Sequence, residues 1–368
     1  MAIDLEAVTA FADEVRGTVH RRDATAEYPA DLVERMRGLG LFGACAGDLR
    51  TYARAMEEIG RAWLSLVPIV NAHSTSVWVM KHYGSSAQRD RWLHALLRGE
   101  SIACLALTEP HAGSDLGSAR SSAHPVEGGW SLSFRKTLIT HSDNSDLMLV
   151  LARTGDGKAS SALSLFLIDR SQWKVVRKLP KLGTVSIETC EIEGVDVFVP
   201  ADRLVGEVAG AGYRHILDAL EVGRIAVAAA AVGVARSALW TAIDRVRERE
   251  AFGAPLAQNA IVQQRIAVMT NRTAAAKGLL QLVAERKGRG GRHDVETSAA
   301  KAVATDAALQ VSLTAMELGG GMGYTEDLDF ARHLRDAALF LAGEGANSLL
   351  ESLIGARMVT SKPDPDWV

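Results

Sequence analysis

Glu344 stands between Gly343 and Gly345 in the string Gly-Glu-Gly-Ala-Asn at 343–347. A carboxylate between glycines marks a turn or, once withdrawn from water, accepts a proton from a substrate. A second group is Ala106-Leu-Thr-Glu-Pro-His-Ala-Gly-Ser-Asp115, whose Gly, Pro and short hydroxyl residues favour a tight loop that offers backbone N–H groups and Thr108 to a ligand. The same residues also suit an ordinary turn. Glu221 and Arg224 fit a surface helix pair, and Glu317-Leu-Gly-Gly320-Gly321-Met-Gly323-Tyr324 fits a helix closed by a glycine cap. His141 reads as a structural or solvated loop histidine, or as a hydrogen-bond donor to a ligand. Cys45, Cys104 and Cys190 are odd in number and widely spaced, which suggests neither a disulfide framework nor a paired-thiolate metal site.

In chain order these strings closely resemble the acyl-CoA dehydrogenase family. Residues 106–115 are similar to its flavin-contacting loop T-E-P-x-A-G-S-D, and Lys136-Thr-Leu-Ile-Thr140 to its K-x-W-I-T segment. Lys181-Leu-Gly183 through Thr189-Cys-Glu191 to Val199-Pro200 resembles the strands that close its β domain. Glu221-Val-Gly-Arg224-Ile225 resembles D-x-G-R-I, and Arg249-Glu-Ala-Phe252-Gly253-Ala-Pro255-Leu256, continuing to Gln263, resembles R-x-x-F-G-x-P-L. Residues 317–324 resemble Q-x-x-G-G-x-G-Y. Arg332-His-Leu-Arg335-Asp336-Ala337, followed after six residues by Glu344, resembles R-x-x-R-D-A and then E-G-T. The likeness runs from about Ala53 to Met358 and is weakest at Gly43–Leu49, where the family's glycine-rich loop is shortened.

The resemblance implies an enzyme that holds noncovalent FAD and desaturates an acyl thioester. It implies cofactor contacts from Thr108, Gly113, Ser114, Ile139, Thr140, Arg249, Phe252, Gln263, Glu317, Gly320 and Gly321, with Arg249 and the glycines reaching the dinucleotide of a neighbouring subunit. Arginine suits that task because its planar fork pairs two phosphate oxygens. Ser114, Glu221, Arg224, Gly343 and Gly345 are implied to line the thioester's path, and Glu344 to be the base that removes the α proton as hydride passes from the β carbon to flavin N5. The chain departs from the family at Leu138, His141, Ala260, Glu317, Gly343 and Ala346, so a reshaped acyl wall and a nonstandard substrate are expected. Other readings are a substrate borne by acyl-carrier protein in a biosynthetic pathway, a flavin monooxygenase of the same fold, and a catalytically silent interaction protein. The partners implied are an acyl-CoA or acyl-carrier-protein substrate, an electron acceptor such as an electron-transfer flavoprotein, and a second copy in a homodimer or homotetramer.

The elements that must position these residues follow from periodicity. Apolar residues recur at threes and fours over the first hundred residues, as in Leu32, Met36, Leu39 and Ala55, Ile59, Ala62, which predicts amphipathic helices. Short alternating or apolar stretches, 130–134, 147–152, 162–168 and 190–199, predict strands, and alanine-rich stretches at about 213–248, 260–287 and 294–318 predict long helices that pack as a bundle. The expected class is therefore α+β, mainly α: an N-terminal helical domain over 1–103, a middle β-barrel-like domain over 104–202 and a C-terminal four-helix bundle over 203–368, the barrel and bundle forms being those the resemblance implies. With 368 residues, 48% hydrophobic and 23% charged with a net charge of −3, the balance fits a globular protein, fits disorder poorly and gives no reason to expect nucleic acid. The acidic start lacks the pattern of a signal peptide, and the apolar run Ile225–Ala235 is too short to cross a bilayer, so a cytoplasmic protein without membrane insertion is expected.

Overall fold

The computed structural model describes residues 3–251 and 253–360. The first hundred residues form α1 (Leu5–Arg16), α2 (Val19–Thr25), α3 (Ala30–Gly38), α4 (Leu49–Ala62), α5 (Val67–Tyr83), α6 (Ser86–Gln88) and α7 (His94–Arg98). Asp4 and Asp48 start α1 and α4 by accepting hydrogen bonds from otherwise unpaired first-turn N–H groups. Helix α1 turns Val8, Phe11, Ala12 and Val15 inward, the spacing expected of an amphipathic helix.

The middle of the chain is a curled seven-stranded sheet. It comprises β1 (Ala103–Ala106), β2 (Ser122–Val126), β3 (Gly129–Thr140), β4 (Leu147–Arg153), β5 (Leu163–Asp169), β6 (Lys174–Lys178) and β7 (Thr189–Pro200), with the short helix α8 (Ala159–Ala162) before β5. Strand β4 runs parallel to β1 and antiparallel to β5, and the hairpins continue through β2, β3, β7 and β6. Strands β3 and β7 pair over nearly their whole length, with register shifts after Leu132 and Lys136.

The remainder is helical: α9 (Gly212–Glu248), a two-strand turn of β8 (Glu250–Ala251) and β9 (Ala254–Pro255), α10 (Ala260–Gly288), α11 (Asp294–Leu318), α12 (Phe330–Ala338) and α13 (Asn347–Thr360). Helix α9 is long and apolar enough to cross a membrane by composition, yet 78% of its most apolar window is buried inside the protein. It is the central post of the core. A Cβ on Gly60 of α4 would come within 2.7 Å of the Ala230 Cα, and one on Gly233 within 2.2 Å of the Glu57 carbonyl, so α4 and α9 touch backbone to backbone. Near α12 the turn between β6 and β7 meets the helices tightly: a Cβ on Gly183 would lie 2.5 Å from the Arg335 carbonyl, and the Thr184 N–H donates to Asp336 Oδ1 at 2.8 Å. Asp336 is fully enclosed there, and burial pushes its carboxyl up to about 6.

Candidate active site

After α12 a tight turn over Leu339–Leu341 leads into Glu344, whose φ of +55° lies in the left-handed region that non-glycine residues avoid; Gly345 follows at +97°. Lys301 of α11 holds this loop. Its buried ammonium donates to the carbonyls of Phe340 at 2.9 Å and Gly345 at 2.7 Å and to Asn347 Oδ1 at 2.8 Å, so all three of its protons brace the residues that bracket Glu344.

The carboxylate points inward. Asn71 of α5 donates Nδ2 to Glu344 Oε1 at 2.9 Å, while Oε2 is buried and has no partner among the described residues. The residue as a whole keeps some surface, but its carboxylate is enclosed. It lies across α9 at Gly223, where a Cβ would stand 2.9 Å from Oε2 and 3.0 Å from Oε1, so a side chain there would displace the carboxylate. Burial raises the Glu344 carboxyl above its ordinary range, against the pull of the Arg224 and Lys301 cations and the Asn71 hydrogen bond. Burial also pushes the Lys301 ammonium down to about 8.

Two of the sequence strings meet at the sheet. The Thr137 N–H donates to the Thr108 carbonyl at 2.9 Å, which sets the loop after β1 beside the end of β3. Buried Lys136 fastens the same loop through Glu109 Oε1 at 2.8 Å and the Leu107 and Leu151 carbonyls, and Glu109 in turn accepts the N–H groups of Arg120 and Ser121. Gly113 and Ser114 are exposed and Thr108 and Thr140 half-buried. Leu138 sits at a bulge with φ of +59° and is 61% exposed. The Ile139 side chain packs into the β core, so only its backbone is available to a cofactor. His141 is structural: fully buried, it bonds the Tyr28 hydroxyl at 2.7 Å and the Ser145 hydroxyl at 3.0 Å, and burial pushes its imidazole down to about 4.

Other strings lie elsewhere. Arg249 is exposed just past the end of α9, about 38 Å of helix beyond Arg224, so it is no part of the Glu344 site of its own chain. Gln263 is exposed on α10 and donates to the Ala257 carbonyl. Glu317 pairs with Arg265 at 2.6 Å, which occupies the carboxylate that replaces the family's glutamine. Gly320, with φ of +63°, and Gly321 face open space beside it. Phe252 lies outside the described residues. Glu221 is fully buried and saturated by Lys287 Nζ at 2.7 Å, Arg292 Nε at 2.6 Å and the His293 N–H at 2.9 Å. Gly343 and Gly345 flank Glu344 as their sequence positions require. Asn71 and Lys301 are site residues that sequence reasoning passed over, and Gly223 lay inside the 221–225 string without a role; a lone lysine inside Ala299-Ala-Lys-Ala-Val-Ala304 was the signal for Lys301.

The chain is similar to known proteins over nearly its whole length. The chain matches the acyl-CoA dehydrogenase N-terminal domain over residues 4–100, the middle domain over 104–197 and the C-terminal domain over 210–359. It is 32% identical over 353 residues to an acyl-CoA dehydrogenase of Bacillus subtilis, covering 93% of each chain. Its structure overlays butyryl-CoA dehydrogenase of Megasphaera elsdenii with a TM-score of 0.93 at 29% identity, covering 96% of this chain and 97% of that one. PigA, solved with FAD and proline, overlays with a TM-score of 0.91 at 25% identity, covering 96% of each.

Proposed function

The chain belongs to the acyl-CoA dehydrogenase family, FAD-dependent oxidoreductases acting on CH–CH donors, and from that premise we propose that Glu344 is the base that removes the α proton of an acyl thioester. The observation that carries this reading is the enclosed carboxylate with Oε2 unpartnered above Gly223. A solvated carboxylate is too weak a base for such a proton; withdrawal from water raises its proton affinity, while the Arg224 charge pulls the other way and favours the ionised form. FAD, when bound, supplies the two-electron acceptor for the β hydrogen. Thr108, Gly113, Ser114, Thr140 and the Ile139 backbone are the groups of this chain proposed to hold it, while Arg224, Gly343 and Gly345 line the thioester's approach. Glu221 acts there by bracing residues 287–293 rather than by offering a free carboxylate.

The working unit is proposed to be a dimer or tetramer in which Arg249, Gln263, Gly320 and Gly321 meet the neighbouring chain's dinucleotide; the distance from Arg224 to Arg249 along α9 supports that arrangement. The thioester is carried by CoA or by an acyl-carrier protein, and electrons leave to a flavoprotein acceptor.

The test is anaerobic mixing of the yellow enzyme with acyl thioesters. The wild type is expected to bleach without added reductant, and Glu344→Gln to retain FAD while bleaching at least ~10²-fold more slowly. Flavin reduced only by an external reductase, and unaffected by Glu344→Gln, is the outcome of a monooxygenase instead.

A further inference from the structure

Glu344 carries a long side chain whose last torsion is broad and roughly two-fold, so its own covalent structure does not choose the plane of the carboxylate or which oxygen meets a substrate. The surroundings make that choice unevenly. Lys301 spends its three protons on the carbonyls of Phe340 and Gly345 and on Asn347 Oδ1, which fixes the backbone of the turn rather than the carboxylate. Arg224 acts on Glu344 by charge, and its Nε has no hydrogen-bond partner among the described residues. Tyr52 of α4 lies within electrostatic reach of Glu344 but is fully buried, and burial keeps its hydroxyl protonated and neutral. Asn71 of α5 is different. Its Nδ2 donates to Glu344 Oε1 at 2.9 Å, the one hydrogen bond the carboxylate accepts among the described residues.

Asn71 is 7% exposed, and the bond to Glu344 is the one its amide makes among the described residues, Oδ1 having none. The NH2 edge must be the one that faces the base, because the amide oxygen would meet a carboxylate lone pair there. The donor stands inside α5, which packs along α9, so a rigid frame carries it. On the α9 side Gly223 presents no side chain to Oε2, and the N–H groups of a helix interior are spent within the helix. One oxygen is held and the other is left bare. We infer that Asn71 is a positioning residue: by holding Oε1 it fixes the plane of the carboxylate and makes Oε2 the atom that takes the α proton. The inference rests on the dehydrogenase reading. A donor on the carboxylate also favours its ionised form, which adds to the pull of Arg224 and Lys301 against burial.

The experiment compares the flavin-loaded wild type with Asn71→Leu, which keeps the bulk and removes the donor, and Asn71→Gln, which keeps an amide donor. Anaerobic bleaching by a thioester is followed against pH, and the protonation of Glu344 is read separately as the infrared carboxyl band that disappears in Glu344→Gln. Loss of the donor disfavours the ionised carboxylate. In Asn71→Leu the infrared titration and the acidic limb of the rate should therefore both move up by about one pH unit or more. Above that limb the saturated rate should still be ~10-fold lower or worse, from lost orientation, while the half-saturating thioester concentration stays within about threefold. Asn71→Gln should recover part of both losses. An Asn71→Leu enzyme that is slower at every pH with neither titration moved overturns the inference and assigns Asn71 to packing. A wild-type rate above a shifted limb overturns it too, leaving Asn71 an electrostatic role alone; both outcomes leave the dehydrogenase reading standing. Should Asn71→Leu lose its flavin, Asn71→Ala is read in its place. Wild-type enzyme that no thioester bleaches overturns the dehydrogenase reading and the inference with it.

Discussion

Glu344 combines a backbone conformation that costs about 1–3 kcal/mol with a carboxylate held out of water, and neither would persist without support from other elements. Lys301 supplies that support mechanically, through three acceptors, and electrically, since its charge favours the ionised carboxylate. Lys301→Met removes a cation that opposes the burial effect, so the carboxyl moves further upward and binds its proton more tightly. The acidic limb of the bleaching rate should therefore shift to higher pH, slowing the reaction roughly tenfold on that side, with recovery as pH rises. A profile unchanged in pH but lower throughout would assign Lys301 to geometry alone. Glu344 could be singled out in the sequence as the proposed base because its string keeps the family's spacing from Arg332 onward. Asn71 could not, because it reaches Glu344 across 273 positions and nothing local to it announces that contact.

The loop after β1 is rigid through one buried ion pair. Glu109 Oε1 stands 2.8 Å from Lys136 Nζ, the lysine wholly buried and the glutamate nearly so. Burial works against ionised Glu109, but Lys136 and the donated N–H groups outweigh it and hold the carboxyl down to about 2, so the stability it lends is present above the ordinary carboxylate range and lost as pH falls through that value. Lys136→Met strands the glutamate charge and should lower stability by about 3–5 kcal/mol, whereas Glu109→Gln/Lys136→Met should lie much closer to the wild type, as chemical denaturation midpoints will read. Equal losses in the single and double variants would show that the pair matters as packing. The elements themselves were readable where periodicity runs long: α10 and α11 begin at 260 and 294, the residues the pattern named. The bulge at Leu138 was not, since a register shift depends on the partner strand β7 and leaves no mark in the residues of β3.

Across the whole molecule, Trp240 at 51%, Ile261 at 70% and Tyr324 at 83% exposure put apolar surface on the C-terminal helices and their connecting turn, near the strings assigned to the neighbouring subunit. Light scattering should report a dimer or larger species. Arg249→Ala should weaken FAD retention ~10-fold or more by loss of a charge-assisted phosphate contact, and a wild-type monomer that keeps its flavin would defeat the assignment. The seam between sheet and helices at Gly183, Thr184, Arg335 and Asp336 has a mechanical meaning. Helix α12 runs from that seam almost directly into the turn bearing Glu344, so the sheet proposed to hold the flavin and the proposed proton acceptor are linked through one short helix. Local opening that parts the sheet from α12 would then displace Glu344 in the same motion, so activity is expected to fall with warming before the far-ultraviolet helical signal does, as parallel rate and circular-dichroism melts will read.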